Sequence, residues 1–148
     1  MKIKISNTKK MGAVFSWSTQ AGHPSEGGSC PASFDASGNY VDACQGCYAR
    51  EGNYRFPNVK NTRLHNMEDW KREDFVKDMV EYIDLNCRYF RWFDSGDMYH
   101  TKLAEKIYQI CKATPHCKHW IPTRQYKFPK FNGVIERLNG LPNVVVRL

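Results

Sequence analysis

Apolar and polar positions alternate with two different periods along this chain, and the changes of period predict strands that alternate with helices. Short apolar or alternating runs predict strands at residues 12–17, 88–93, 118–123 and 143–148. Apolar residues that recur every three or four positions predict helices at residues 67–85, 101–112 and 132–138, with Asn66 as the N-cap of the first. This alternation is typical of an α/β fold with a parallel sheet.

A long segment between the first strand and the first helix interrupts the alternation. Residues 19–58 are rich in Gly, Ser, Pro and Asn and predict a loop, and a loop of this length in a compact domain usually serves a function. For 148 residues we expect a single domain. It would consist of a basic N-terminal segment (1–10), the cysteine-bearing loop (19–58) and βα units (59–148).

Three cysteines in this loop give the strongest chemical signal in the sequence. Cys44 and Cys47 form a Cys-x2-Cys pair, which places two thiolates on one turn, and Cys30 lies upstream with thirteen residues between it and Cys44. Three thiolates suit a [4Fe–4S] cluster with one open iron. They also suit structural zinc if a fourth ligand comes from elsewhere, and the candidates are His23, Cys87, Cys111, Cys117 and His119.

Polar segments follow three of the predicted strands, at the carboxyl ends where parallel sheets carry their functional groups. These segments are residues 18–20, 94–97 and 123–125. Asp94 and Asp97 are predicted to accept hydrogen bonds from an ammonium group or a ribose, although Asp-Ser-Gly is also a common turn sequence. Tyr48 directly follows Cys47 and is expected to pack near the metal centre or in the ordinary core.

Composition and charge indicate the class of protein, its cellular location and the charge of its partner. A hydrophobic content of 41% favours a globular fold, and no apolar run approaches the ~18 residues of a membrane span. The basic start lacks the apolar stretch of a signal peptide. We therefore expect a cytoplasmic protein without membrane contact, whose cysteines are ligands or free thiols. The net charge of +7 favours an anionic partner.

Two regions suggest macromolecular partners. Aromatic and basic residues alternate from residue 120 to residue 130, where they either stack on and neutralise a nucleic acid or simply form a strand and a loop: Trp120, Arg124, Tyr126, Lys127, Phe128 and Lys130. The sequence stops at the fourth predicted strand, whose edge invites pairing. We expect a second copy of the chain or another protein to cover that strand.

Four segments taken together resemble a known family. They are Cys30 with residues 44–49, then residues 91–97, 122–124 and 141–145. In combination they resemble the phage family Gene Product 88, which is in turn similar to radical S-adenosylmethionine (SAM) proteins. The resemblance runs from about residue 14 to residue 146. It implies a partial, half TIM-type barrel of about four strands.

The resemblance also implies a cofactor. Cys30, Cys44 and Cys47 would hold a [4Fe–4S] cluster whose open iron binds SAM, and electron transfer from the cluster would cleave a sulfonium bond to give a 5′-deoxyadenosyl radical. The cysteine spacing departs from the usual Cys-x3-Cys-x2-Cys of radical SAM proteins, because the first gap here is thirteen residues.

The same resemblance assigns roles to polar residues after the predicted strands. Ser95, Gly96 and Asp97 would occupy the turn that meets the amino group of SAM, and Arg124 would meet a carboxylate or an anionic substrate. An alternative function is a non-catalytic protein, stabilised by a cluster or by zinc, that binds a host protein or a nucleic acid. If the protein is phage-encoded, we expect either function in the cytoplasm of an infected bacterium.

Overall fold

The computed structural model describes residues 3–8, 14–47, 57–93 and 95–147. In these residues the sheet has the order β1-β2-β3-β4-β5, with the bounds Ser6–Thr8, Val14–Trp17, Tyr89–Trp92, Lys118–Pro122 and Val144–Arg147. Strands β2 to β5 run parallel to one another, and β1 pairs antiparallel with β2. The predicted α/β fold with four parallel strands is confirmed. Its closure into half of a TIM-type barrel stays a prediction.

Edge strand β1 falls in the N-terminal segment, for which the sequence predicts no element. It pairs with β2 in a register that sets Ser6 opposite Ser16. Three residues are too few for an alternating pattern to show in the sequence, so only the pairing with β2 identifies this strand. β1 covers the outer edge of β2. The two edge strands of the described sheet are therefore β1 and β5.

The helices of the described residues are α1 (Asp42–Gln45), α2 (Pro57–Asp69), α3 (Phe75–Asn86), α4 (Thr101–Ala113) and α5 (Asn132–Asn139). The bounds of α4 and α5 agree with the predicted helices to within one residue. The prediction of one helix over residues 67–85 is wrong, because a turn at residues 70–74 separates α2 from α3. Asn66 lies inside α2 and is therefore not an N-cap.

Charged side chains stabilise the turn between α2 and α3. Arg72 contacts the carboxylates of Asp69, at the end of α2, and of Asp78, in α3, each at 2.7 Å. Lys106 of α4 donates from Nζ to the main-chain oxygens of Trp70 (2.8 Å) and Arg72 (2.9 Å). These bonds satisfy carbonyls that would otherwise need a continued helix. Apolar periodicity runs through the turn because Trp70 is buried, which is why the sequence pattern predicts a single helix.

The core lies on one face of the sheet, where α3, α4 and α5 pack. Alternate strand residues are buried there: Trp17, Phe90, Trp92, His119, Ile121 and Val144. The ring of Trp17 lies 5.5 Å from that of Phe75 in α3. The opposite face, which we call the open face, consists of the outward-pointing residues Tyr89, Arg91, Lys118, Trp120, Val145 and Arg147. None of the helices described is both long enough and apolar enough to cross a membrane.

Candidate functional site

A cavity of about 320 Å³ lies where the carboxyl ends of the parallel strands meet the cysteine loop. Its lining includes seven of the nine residues that the sequence singles out: Cys30, Cys44, Cys47, Ser95, Gly96, Asp97 and Arg124. The other two, Tyr48 and Asp94, lie outside the described residues. The structure therefore brings the cysteine loop and the turns after β3 and β4 to one place, as expected for a parallel sheet.

A small closed loop explains how Cys30 and Cys44 reach the same cavity despite the thirteen residues between them. The backbones of Phe34 and Tyr40 form a β-bridge. Between them the Asp35 carboxylate accepts hydrogen bonds from the main-chain nitrogens two and four residues further on, at 2.9 and 3.1 Å. The insertion thus folds on itself, and its two ends return to the cavity. A short insertion is not required for the three thiols to share one site.

All three thiols are half-buried. Burial first, and then the negative charges of Asp97, Cys47 and Cys44, raise the pKa of the Cys30 thiol to about 12. Cys44 lies in α1, and the chain turns at Gly46 before Cys47. A buried thiolate is costly without a positive partner, so the deprotonated form of Cys30 requires a cation or a metal centre close by.

Thiolates are the ligands that soft metal ions and iron–sulfur clusters prefer, so the donor set fits such a centre. In the part of the chain that the structure describes, no three Cys, His, Asp or Glu side chains are gathered closely enough to hold a single metal ion. The three thiols line one cavity. Whether they bind a cluster stays a prediction.

None of the proposed fourth zinc ligands lines the cavity. Cys87, Cys111 and Cys117 are buried in the hydrophobic core, where burial raises the pKa of each thiol. The ring of His23 stacks on that of Phe34 at 3.9 Å. His119 is buried in the core, with both ring nitrogens hydrogen-bonded. These five side chains therefore have structural environments of their own.

The Asp97 carboxylate joins the turn after β3 to the turn after β4. Its Oδ1 accepts hydrogen bonds from the Thr123 hydroxyl (2.6 Å) and the Met98 amide (2.8 Å), and its Oδ2 accepts one from the Arg124 amide (2.9 Å). Burial raises the pKa of Asp97 to about 6, although these hydrogen bonds lower it. Three of its four lone-pair positions are used. Asp97 is therefore a positioning residue that holds the wall of the cavity.

The loop after β2 is joined to the same turn. The Asp97 amide donates to Ser29 Oγ (3.3 Å), and Ser29 Oγ lies 2.6 Å from Thr19 Oγ1. The Thr19 amide donates to the main-chain oxygen of Ser95 (3.1 Å). Three strand ends and the start of the cysteine loop thus form one hydrogen-bonded unit. The sequence predicts the polar segments after β2, β3 and β4 but not the hydrogen bonds that join them.

Two residues of this unit have left-handed backbone conformations. Gly96 has a φ of 84°, and a Cβ atom there would lie 2.1 Å from Thr19 Oγ1, so only glycine fits. Phe93 has a φ of 58° while its side chain is buried and lines the cavity. Such strain in a non-glycine residue is typical of functional sites, where the surrounding structure holds it.

Two buried polar atoms at the cavity, Ser95 Oγ and Arg124 Nε, make no hydrogen bond to the residues that the structure describes. Buried polar groups are usually paired, so both are available to a ligand. Arg91 and Arg147 also line the cavity, and sequence reasoning assigned no role to either. Strand register is the signal that finds them, because each lies on the open face near a strand end.

Comparison with known proteins gives one match. No curated protein and no solved structure matches the chain. The family model described as Gene product 88 matches residues 1–148, which is the whole sequence. That family suggests a bacteriophage protein, in agreement with the resemblance seen in the cysteine loop and the strand ends. Because the family model covers the entire chain, the protein belongs to the Gene product 88 family.

Proposed function

We propose that the protein is an iron–sulfur protein of the radical SAM type. The observation that carries the proposal is that Cys30, Cys44 and Cys47 line one cavity together with the Ser95–Asp97 turn and Arg124. In this proposal the three thiolates hold a [4Fe–4S] cluster and leave one iron open for SAM. A reduced cluster of this kind supplies the electron that cleaves a sulfonium bond.

The chain's own groups have distinct parts in this function. The unpartnered Ser95 hydroxyl and the Arg124 guanidinium are positioned to bind the polar end of a ligand in the cavity. An arginine pairs well with a carboxylate, since its planar fork offers two parallel donors. The Asp97 carboxylate accepts a hydrogen bond from the main-chain amide of Arg124. This bond holds the backbone from which the Arg124 side chain extends. The three half-buried thiols line the same cavity.

Spectroscopy of anaerobically purified protein tests the cofactor. We expect a broad absorption near ~400 nm and, after reduction with dithionite, an EPR signal that changes when SAM is added. Arg124→Ala should keep the iron and sulfide content. The SAM concentration needed to change the EPR signal should rise by about tenfold or more, because the substitution removes a charge-assisted contact. If the EPR signal of the wild-type protein does not change when SAM is added, the protein binds a cluster but does not have the radical SAM function.

A cysteine series tests the ligand set. Cys47→Ser should lose the absorption band and most of the iron, because a serine hydroxyl is a poor substitute for a thiolate. Cys87→Ala is the matched control, since Cys87 is buried in the core away from the cavity. Iron content that falls equally in both variants would contradict the assignment. A colourless protein that contains zinc when prepared without oxygen would exclude the radical function.

The second candidate function is a non-catalytic one. The cavity residues join the cysteine loop to three strand ends, so a bound cluster or zinc ion would also stabilise the fold. A cluster that forms in the wild-type protein but neither binds nor cleaves SAM favours this alternative, in which the surface rather than the cavity meets the partner.

A further inference from the structure

The open face connects the cysteine cavity to a second cavity. The second cavity has a volume of about 300 Å³ and lies at the opposite end of the strands, lined by Tyr89, Lys118, Trp120 and Val145 among others. Arg91 lines both cavities. From residue 89 to residue 93 a strand spans about 13 Å, at a rise of roughly 3.3 Å per residue. The two cavities therefore adjoin at Arg91, and the stretch of the open face that they line, which we call the groove, is long enough for more than one small ring system.

Cations dominate this groove. Lys118 and Arg147 lie on the open face and are exposed, and Arg124 lines the cavity at its end. Among the described residues that line the two cavities, Asp97 is the one carboxylate, and its oxygens accept hydrogen bonds from Thr123 and two main-chain amides. A second copy of the chain docked face to face would oppose cation to cation, so charge complementarity favours an anionic occupant.

Aromatic rings accompany the cations. Tyr89 is 54% exposed. The neighbouring strand places Lys118 opposite Tyr89 and Trp120 opposite Arg91, so the two aromatic residues are diagonal neighbours. The Arg91 guanidinium lies 4.6 Å from the centre of the Trp120 ring. A tyrosine ring and a stacked arginine–tryptophan pair are flat surfaces on which unpaired bases stack.

We propose that the open face binds single-stranded nucleic acid. Bases stack on Tyr89 and on the Arg91–Trp120 pair, while Lys118 and Arg147 contact phosphates along the groove. A duplex does not fit this chemistry, because its bases are already stacked on one another. The proposal goes beyond the iron–sulfur function and does not depend on it, since none of the residues proposed to contact the nucleic acid is a proposed cluster ligand, although Arg91 and Arg147 also line the cysteine cavity.

Fluorescence anisotropy with labelled oligonucleotides tests the proposal. We expect binding of dT15 or U15 that is at least tenfold tighter than binding of a duplex of equal length. The stronger of the two single strands identifies DNA or RNA as the source. Trp120→Ala and Tyr89→Ala should each weaken binding by about tenfold or more, the usual loss for a stacking aromatic. Lys118→Ala should reduce the slope of log K against log salt by about one.

Matched controls separate this surface from general charge. Tyr108 is a half-buried aromatic residue of α4 outside both cavity linings, and Lys112 is an exposed lysine on the same helix, which packs on the other face. Tyr108→Ala and Lys112→Ala should leave binding within about twofold. Equal losses in the face and control variants, or equal affinity for duplex and single strand, would overturn the proposal.

Two further measurements keep the outcomes distinct. Light scattering at the concentrations used for binding should show a monomer, whereas a dimer that Trp120→Ala dissociates would assign the face to a second copy and overturn the proposal. The iron content of every variant should also be measured. It shows whether a loss of nucleic-acid binding is accompanied by a loss of the cluster. A Cys44→Ser protein that has lost its iron but remains folded should still bind the single strand.

Discussion

Gly96 shows at the scale of one residue how the backbone of the cavity is specified. Its positive φ and its contact with Thr19 both require the absence of a side chain. Gly96→Ala should lower the free energy of unfolding by about 3 kcal/mol or more, from backbone strain and overpacking together. Urea denaturation followed by circular dichroism measures the loss.

Gly38→Ala is the matched control for this substitution. Gly38 has nearly the same φ, 83°, but a Cβ there would meet nothing within 4 Å. That variant should lose only the strain, about 1–2 kcal/mol. Equal losses of stability in the two variants would contradict overpacking at Gly96.

Thr123 is the second residue whose role can be isolated. Its hydroxyl donates to Asp97 and accepts from the Gln125 amide at 3.0 Å, so one atom serves both turns. Thr123→Val keeps the shape but leaves a buried carboxylate oxygen and a buried amide without this partner, at an expected cost of about 1–3 kcal/mol. Thr123→Ser keeps the hydroxyl and should cost less than 1 kcal/mol by the same reasoning. Equal losses in urea unfolding would mean that the hydroxyl contributes no more to stability than the methyl group, which would contradict this role.

The sequence predicts the cavity residues whose chemistry is distinctive and misses those whose role depends on register. Cysteines at close spacing and the Ser95–Asp97 turn after an apolar strand can be recognised without a structure. Arg91 and Arg147 are single cations within strands, and nothing in their neighbours distinguishes them from solvated surface. Their place in the cavity depends on which residues of adjacent strands lie side by side, which is a long-range property.

At the scale of elements, the same division holds for helices. α4 and α5 are predicted well because each ends where its apolar periodicity ends. The break between α2 and α3 is not visible in the pattern, because the capping groups come from Lys106, far along the sequence. Tertiary contacts thus decide where a helix ends even when the local pattern continues.

Strand β4 carries a histidine whose protonation the fold suppresses. Trp92 Nε1 donates to Nδ1 of His119 at 3.0 Å, so Nδ1 is an acceptor and the proton lies on Nε2, 2.8 Å from the Thr114 hydroxyl. Burial, together with the smaller effect of nearby His116, lowers the pKa of His119 to about 4. A second proton would break the bond from Trp92, so the folded state keeps the ring neutral.

This histidine predicts a loss of stability in acid. The unfolded chain takes up a proton near pH 6.5 and the folded chain only near pH 4, so the stabilisation is complete above pH 6.5 and is lost as the pH falls towards 4. The free energy of unfolding of the wild-type protein minus that of His119→Gln should shrink by about 3 kcal/mol over this range. Buried Asp97, whose raised pKa has the opposite effect, is present in both proteins and cancels. A difference that does not vary with pH would contradict the neutral, buried state of His119.

For the whole molecule, charge is divided between the two sides of the sheet. The segment of residues 68–84, which includes most of α3, has seven acidic and three basic residues, although the protein as a whole carries a net charge of +7. α3 packs on the core face, where Phe75 meets Trp17. The basic residues of the open face therefore lie on the other side of the sheet from this acidic helix. Such an asymmetry orients an approaching anion towards the open face before contact.

Because the cysteine loop is hydrogen-bonded to the sheet, cofactor binding in the loop should stabilise the whole chain. A cluster that binds only the folded state adds to the free energy of unfolding, by about 3 kcal/mol for a ligand at a hundred times its dissociation constant. Because Ser29, next to Cys30, is bonded to Thr19 and to the Asp97 amide, this gain should reach the sheet and not only the loop. We expect anaerobic, iron-loaded protein to unfold at a higher urea concentration than the same sample after air and chelator. Cys44→Ser should show no such difference, and an equal shift in that variant would mean that the iron is bound elsewhere.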